Sequence, residues 1–139
     1  MLQHNGNPNM SDRKLQTQVK SYRDLTVWQR AVEVAVECYR VTKSFPKHET
    51  YGLSAQLQQA AVSVPANIAE GRARQHTGEF LQHLSIAYGS LAELETHLEI
   101  ARRLAYLPDD HANSIIDACA NVGRMINGLQ SSLRSKQPQ

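Results

Sequence analysis

"FLQHLSIAYGSLAELETHLEIARRLA", Phe80–Ala105, places apolar residues at Phe80, Leu84, Ala87, Leu91, Leu94, Leu98, Ala101 and Ala105. The intervals alternate between four and three, the spacing of a helix that lays one narrow seam along a neighbour. Thr77 offers an N-cap just ahead of it. Gly89-Ser90 gives up helix propensity, about 1 kcal/mol for the glycine relative to alanine, which a closely approaching backbone would explain. One such helix cannot bury its seam alone, so the rest of the chain must supply partners.

Three further segments have the same character. Downstream, Pro108-Asp109-Asp110 separates the seam helix from another carrying Ile115, Ile116, Cys119, Val122, Met125, Ile126, Leu129 and Leu133. Upstream, Leu53, Leu57, Ala60, Ala61, Val64 and Ile68 keep helical register across Pro65. That continuity predicts one kinked helix running from Glu49 or Gly52 to Glu70, even though an interior proline costs about 3 kcal/mol and strips the Ala61 carbonyl of its donor. The first helix is expected from Asp24 or Thr26, with Thr26-x-x-Gln29 as a capping box, and ends before Phe45-Pro46. It has two apolar stripes, Leu25, Trp28, Val32, Val36 and Tyr39 on one side and Val27, Ala31, Val34, Cys38, Val41 and Phe45 nearly opposite. An arc of roughly 200° exceeds the roughly 100° one core requires. It fits either a central helix of a monomer or a helix whose second stripe packs on another subunit. Short connections imply antiparallel neighbours, so the expected fold is all-α, an antiparallel up-and-down four-helix bundle.

Composition agrees. The 139 residues are 41% hydrophobic, 6% aromatic and 20% charged, suited to one helical domain. Residues 1–21 read as a polar, basic tail bearing Arg13, Lys14 and Lys20, with Met10 as a second candidate start. Residues 22–134 form the bundle and 135–139 a C-terminal tail. A net charge of +2 and a pI near 8.6 neither demand nor exclude an anionic partner. Cys38 and Cys119 lie too far apart for a C-x-x-C site and read as buried thiols. With no signal-peptide core and no run near 18 apolar residues, the expectation is a cytoplasmic protein without a membrane partner.

Candidate function gathers around "VPANIAEGRAR", Val64–Arg74. Gln56, Ala60, Ser63, Asn67 and Glu70 form a small, polar seam beside the apolar one. Asn67 and Glu70 are placed to bond backbone groups loosened by Pro65, or a basic partner. Glu70, in a last helical turn, opposes the helix dipole and calls for a compensating arginine or donors. Gly71 reads as a left-handed C-cap, with Arg72 and Arg74 in the loop beyond it. Catalytic templates are missing: no Glu-x-x-His pairs, H-E-x-x-H, phosphate loop or nucleophile elbow. His76, His83 and His111 fit no metal spacing, and Glu93 with His97 reads as a surface polar face. No enzyme activity, metal or cofactor is expected.

"YRDLTVWQRA", "FPKHETYGL", "AAVSVPANIAEG" and "IAYGSLAELETHL" together resemble the bacterial four-helix bundle proteins encoded within intervening sequences of 23S ribosomal RNA genes, the so-called S23 ribosomal protein family. The likeness covers Tyr22 to Leu107; the fourth helix matches only in pattern. It implies a bundle that assembles as a ring, a homopentamer, distantly similar to the accessory protein of diversity-generating retroelements, which works with a reverse transcriptase and nucleic acid. Gln58-Gln59 departs from the family, whose members often carry arginine there. The resulting expectation is a non-enzymatic homo-oligomeric adaptor binding RNA or DNA through Arg72, Arg74, Arg102 and Arg103, with Arg13, Lys14 and Lys20 adding contacts. The alternative is a protein-interaction scaffold, for example for a reverse transcriptase, without direct nucleic-acid binding.

Overall fold

Four helices follow one another: α1, Thr26–Thr42; α2, Leu53–Ala73; α3, Thr77–Arg103; and α4, Asp109–Ser135. Single 3-10 turns at Tyr22–Asp24 and Lys47–Glu49 precede α1 and α2. This computed structural model describes residues 21–136. The tail expected over 1–21, with Met10, Arg13, Lys14 and Lys20, and the last three residues of the C-terminal tail lie outside the described residues, Ser21 excepted.

The helices occupy a square in chain order, each packing chiefly on its two neighbours, α1 on α2, α2 on α3, α3 on α4 and α4 back on α1. Cross-links fix the antiparallel sense. Gln58 Nε2 at the start of α2 donates to Thr42 Oγ1 at the end of α1, 2.8 Å away. Gln130 Nε2, late in α4, reaches Ser85 Oγ, early in α3, at 3.2 Å. The expected up-and-down four-helix bundle is the fold observed.

The core is the union of the inward stripes. Leu57, Ile68, Leu84, Leu94, Leu98, Cys119 and Ile126 are fully buried, and the rest of the α3 seam from Phe80 to Ala101 is buried as well. Burial, with Glu37 adding a smaller effect, pushes the Cys38 thiol up to about 12, and burial raises that of Cys119 as well. Both cysteines therefore stay protonated and serve as packing residues. In α1 one stripe fills the core, with Val27, Ala31, Val34, Cys38 and Val41 buried; of the other, Leu25 and Trp28 pack against the core edge, whereas Val36 and Tyr39 face outward.

At one end of the bundle, Glu49 caps α2 by accepting from the Leu53 amide at 3.1 Å and from Tyr106 Oη at 2.8 Å. These bonds hold its carboxyl below the usual range. They tie the entry of α2 to the α3–α4 turn, where Tyr106 also meets Phe45, 5.3 Å between ring centroids.

Several local expectations change. The capping box belongs to Ser21 and Asp24 on the first 3-10 turn, while Leu25 caps α1 without a side-chain bond. α2 continues across Pro65 as its phase predicted, but it runs on past Glu70 to Ala73. Gly71 is therefore helical, and the left-handed residue is Gln75, at φ 65°. Thr77 is the first residue of α3, not its cap. Ala105 leaves the seam because α3 stops at Arg103 and Ala105 turns to φ 60°.

Candidate nucleic-acid interface

The polar seam does run between two helices, and its partners come from α3. Ser63 Oγ and Ser90 Oγ are 2.8 Å apart. Asn67 Nδ2 donates to the Ser63 carbonyl at 2.8 Å and to Ser63 Oγ at 3.0 Å, while Asn67 Oδ1 meets His83 Nδ1 at 3.1 Å. Asn67 thus bonds the carbonyl four residues back in its own helix, and not the Ala61 carbonyl that Pro65 deprives of its donor, to which the sequence points. Glu70 behaves otherwise. Its carboxylate is paired with Arg74 at 3.0 Å, and the Arg74 hydrogen bond, with the nearby His83, holds its carboxyl below the usual range. The arginine that a carboxylate at a helix C-terminus requires is the one four residues on.

Gly71 explains how α2 and α3 come so close at this point. A Cβ there would lie 2.6 Å from His83 Cβ and 3.1 Å from Phe80 Cδ1, so only glycine lets α3 cross the last turn of α2. Gln56, at the other end of the predicted seam, is exposed. Ser90 joins the seam, but Gly89 beside it meets nothing within 4 Å, so among the described residues no backbone from another element approaches it. His97, read as a surface residue, is buried, with Nε2 3.4 Å from Glu93 and Nδ1 without a hydrogen-bond partner.

The four arginines predicted to meet nucleic acid are not brought together. Arg102 and Arg103 end α3, and both grip Glu99: Arg102 Nη2 at 2.5 Å and Arg103 Nε at 2.7 Å. Arg102 also faces Asp109 at 3.6 Å. The two guanidinium groups lower the Glu99 carboxyl to about 2. Arg74, the C-cap of α2, is held between Glu70 and Glu79. Arg72, in the last turn of α2 at the opposite end from Arg102, has no carboxylate partner among the described residues.

Sequence reasoning missed the other cations and aromatics near Arg72. α4 ends at the same end of the bundle, and there Arg134 and Lys136 likewise lack carboxylate partners. The Tyr22–Asp24 turn packs against α1 and α2. Its Arg23 guanidinium lies 5.6 Å from the ring centroids of both Tyr22 and Trp28, which meet edge-on at 5.1 Å. The nearest signal in the sequence was "YRDLTVW", where a cation sits between two aromatics.

Two outer faces of the bundle carry grooves with exposed apolar side chains. Along α1 and α2, a groove of about 430 Å³ is lined by Val32, Val36, Tyr39, Val62 and Pro65, with Arg40 and Lys43 at its edge. Along α3 and α4, a groove of about 870 Å³ runs past Tyr88, Ile100 and Ile116, over a floor that includes Ala120 and Gly123, with Glu99, Arg103 and Arg124 also on its walls. Glu95 lies in this second groove, and partial burial raises its carboxyl above the usual range. No described helix is long and apolar enough to cross a membrane. Among the described residues, no cluster of three His, Cys, Asp or Glu side chains could hold a metal ion.

The profile of the 23S rRNA-intervening sequence protein family matches residues 23–128. A crystal structure of a protein of unknown function from the S23 ribosomal protein family, from Bacteroides thetaiotaomicron, is similar with a TM-score of 0.68. The likeness covers 76% of this chain and 98% of that one at 23% identity, so it speaks to the fold. No curated protein matches the chain.

Proposed function

The chain belongs to the 23S rRNA-intervening sequence protein family, and from that premise and the surface just described we propose that it is a non-enzymatic, homo-oligomeric adaptor that contacts nucleic acid through unpaired cations. The observation that carries this reading is the pair of apolar grooves. The core takes one stripe of α1, leaving Val36 and Tyr39 outside beside Val62, while Tyr88 and Ile100 are exposed along α3. Contiguous exposed apolar surface marks an interaction site, and faces on opposite sides of a square bundle suit a head-to-tail arrangement of identical copies. Closed rotational symmetry turns such an arrangement into a ring; the resemblance of the sequence to ring-forming proteins makes five copies the expectation.

A second reading, the protein scaffold for an enzyme such as a reverse transcriptase, draws on a different observation. Arg74, Arg102 and Arg103 are committed to carboxylates, which removes three of the four predicted cations that lie among the described residues. Recovering the complex from cells separates the two readings. RNA or DNA accompanying the protein, lost on nuclease treatment, upholds the adaptor; a stoichiometric protein that survives nuclease favours the scaffold. Light scattering at micromolar concentration tests assembly, with a mass several times 15.6 kDa expected and a clean monomer counting against it.

A further inference from the structure

Three remote segments of the sequence bring cations to the end where α1 and α3 begin and α2 and α4 finish. Arg72 comes from α2, Arg134 and Lys136 from the end of α4, and Arg23 from the turn that packs on α1 and α2. Between α2, α3 and α4 opens a hollow of about 210 Å³, floored by Gly71, Phe80 and Leu133 and rimmed by Arg72, Gln75 and His76. Asp24, Glu70 and Glu79 share this end, the last two engaged by Arg74. At the opposite end Arg102 and Arg103 are held by Glu99, and Glu49, Asp109 and Asp110 accompany Lys43 and Lys47, so there the acids offset the cations more fully.

We propose that the Arg72 end of the bundle is a binding site for single-stranded nucleic acid, a proposal that rests on the nucleic-acid reading above and gives it a location. Arg72, Arg134 and Lys136 would take phosphate oxygens, for which unpaired cations are available without breaking an ion pair. Arg23, held against Tyr22 and Trp28, presents a guanidinium plane on which an unpaired base can stack. The hollow, with an apolar floor and a rim of donors and acceptors, accommodates a base turned out of a stack. A duplex offers phosphates but no free base faces, so the chemistry selects single strands. The main contacts are to backbone phosphates and to planar base faces, so the site is sequence-tolerant.

The experiment uses the full chain and labelled 20-nucleotide probes: a single-stranded RNA, the single-stranded DNA of the same sequence, and the corresponding duplexes, each an arbitrary length of about two helical turns. Affinity is measured across a salt series for the wild type, for the Arg72→Ala, Arg134→Ala, Lys136→Ala triple variant, and for Arg102→Ala, Arg103→Ala. None of these side chains is buried in the core, and circular dichroism melts check each fold. Single strands should bind more tightly than duplexes. The triple variant should lose about tenfold or more in affinity and flatten the logarithmic salt slope by roughly 2, while the Arg102, Arg103 variant keeps both. Trp28 is the sole tryptophan, so quenching of its emission by single strands gives a second readout that needs no variant. RNA and DNA binding equally, or RNA binding better through its 2′-hydroxyl, both uphold the site and tell which strand it prefers. Tight binding that ignores the triple variant and leaves Trp28 unquenched overturns this location while the nucleic-acid reading stands. A preference for duplex overturns it too, and no binding even at low salt overturns both.

Discussion

At Gly71 a missing side chain sets the distance between two helices. A Cβ would have to fit within 2.6 Å of His83 Cβ, and both atoms belong to the rigid first part of a side chain, so α2 and α3 would have to part. Gly71→Ala should lower stability by about 1–3 kcal/mol despite the better helix propensity of alanine; equilibrium denaturation reads the sign directly. Gly89 predicts the reverse. It is exposed within α3 with nothing within 4 Å, so Gly89→Ala should stabilise the protomer by about 0.5–1 kcal/mol, and a loss would mean that another chain sits against it. Asn67→Leu leaves Ser63 and His83 without their bonds, an expected cost of about 1–3 kcal/mol. Glu70→Leu, with a side chain 50% exposed, should melt close to wild type. These contrasts show what spacing reveals and what it hides. The interval from Ser63 to Asn67 to Glu70 correctly placed polar groups on one face. It could not say that His83 faces Asn67, because that pairing depends on the register between two helices, nor that Gly71 is a contact point rather than a terminus.

Among the elements, legibility follows how much of each pattern is local. The α3 seam was readable because seven of its eight expected apolar positions, Phe80 through Ala101, are buried; Ala105 failed because the chain turns left-handed there, two residues after the helix ends. The unbroken path of α2 across Pro65 was readable from phase. The candidate interface was not, because a cation's availability is decided by which carboxylate reaches it. Arg102 and Arg103 stand three and four residues after Glu99, and that spacing closes the last turn of α3 into a charge cluster that also suits the negative end of its dipole. The cluster has a pH signature. Glu99 titrates at about 2 in the folded chain against 4.5 for the free group. A carboxylate whose folded value is depressed contributes stability above its unfolded value, and that contribution is lost as pH falls through the folded one. Glu99→Gln should therefore be less stable than wild type at pH 7, and the difference should shrink between pH 4.5 and 2 and vanish below. A difference that stays constant over that window would mean that the pairing contributes nothing to the folded state.

For the molecule as a whole, the decisive geometry is that the apolar grooves lie on opposite sides of the square, α1–α2 facing one way and α3–α4 the other. If two copies met through the same patch, the interface would be isologous and each pair would leave its second groove open. If the α1–α2 face of one copy seats on the α3–α4 face of the next, both grooves are covered, and every copy presents one face of each kind to its neighbours. Charges placed on one face at a time distinguish these arrangements. Val36→Glu with Val62→Glu disables the α1–α2 face, and Ile100→Glu with Tyr88→Glu disables the α3–α4 face; all four side chains are exposed in the protomer, so the bundle should remain folded. Under the head-to-tail arrangement each variant alone is monomeric by light scattering. An equimolar mixture then forms heterodimers and nothing larger, because the intact α1–α2 face of one variant meets the intact α3–α4 face of the other. Under an isologous arrangement one variant alone would keep the wild-type dimer mass and mixing would change nothing, which would sink the head-to-tail model while leaving self-association in place.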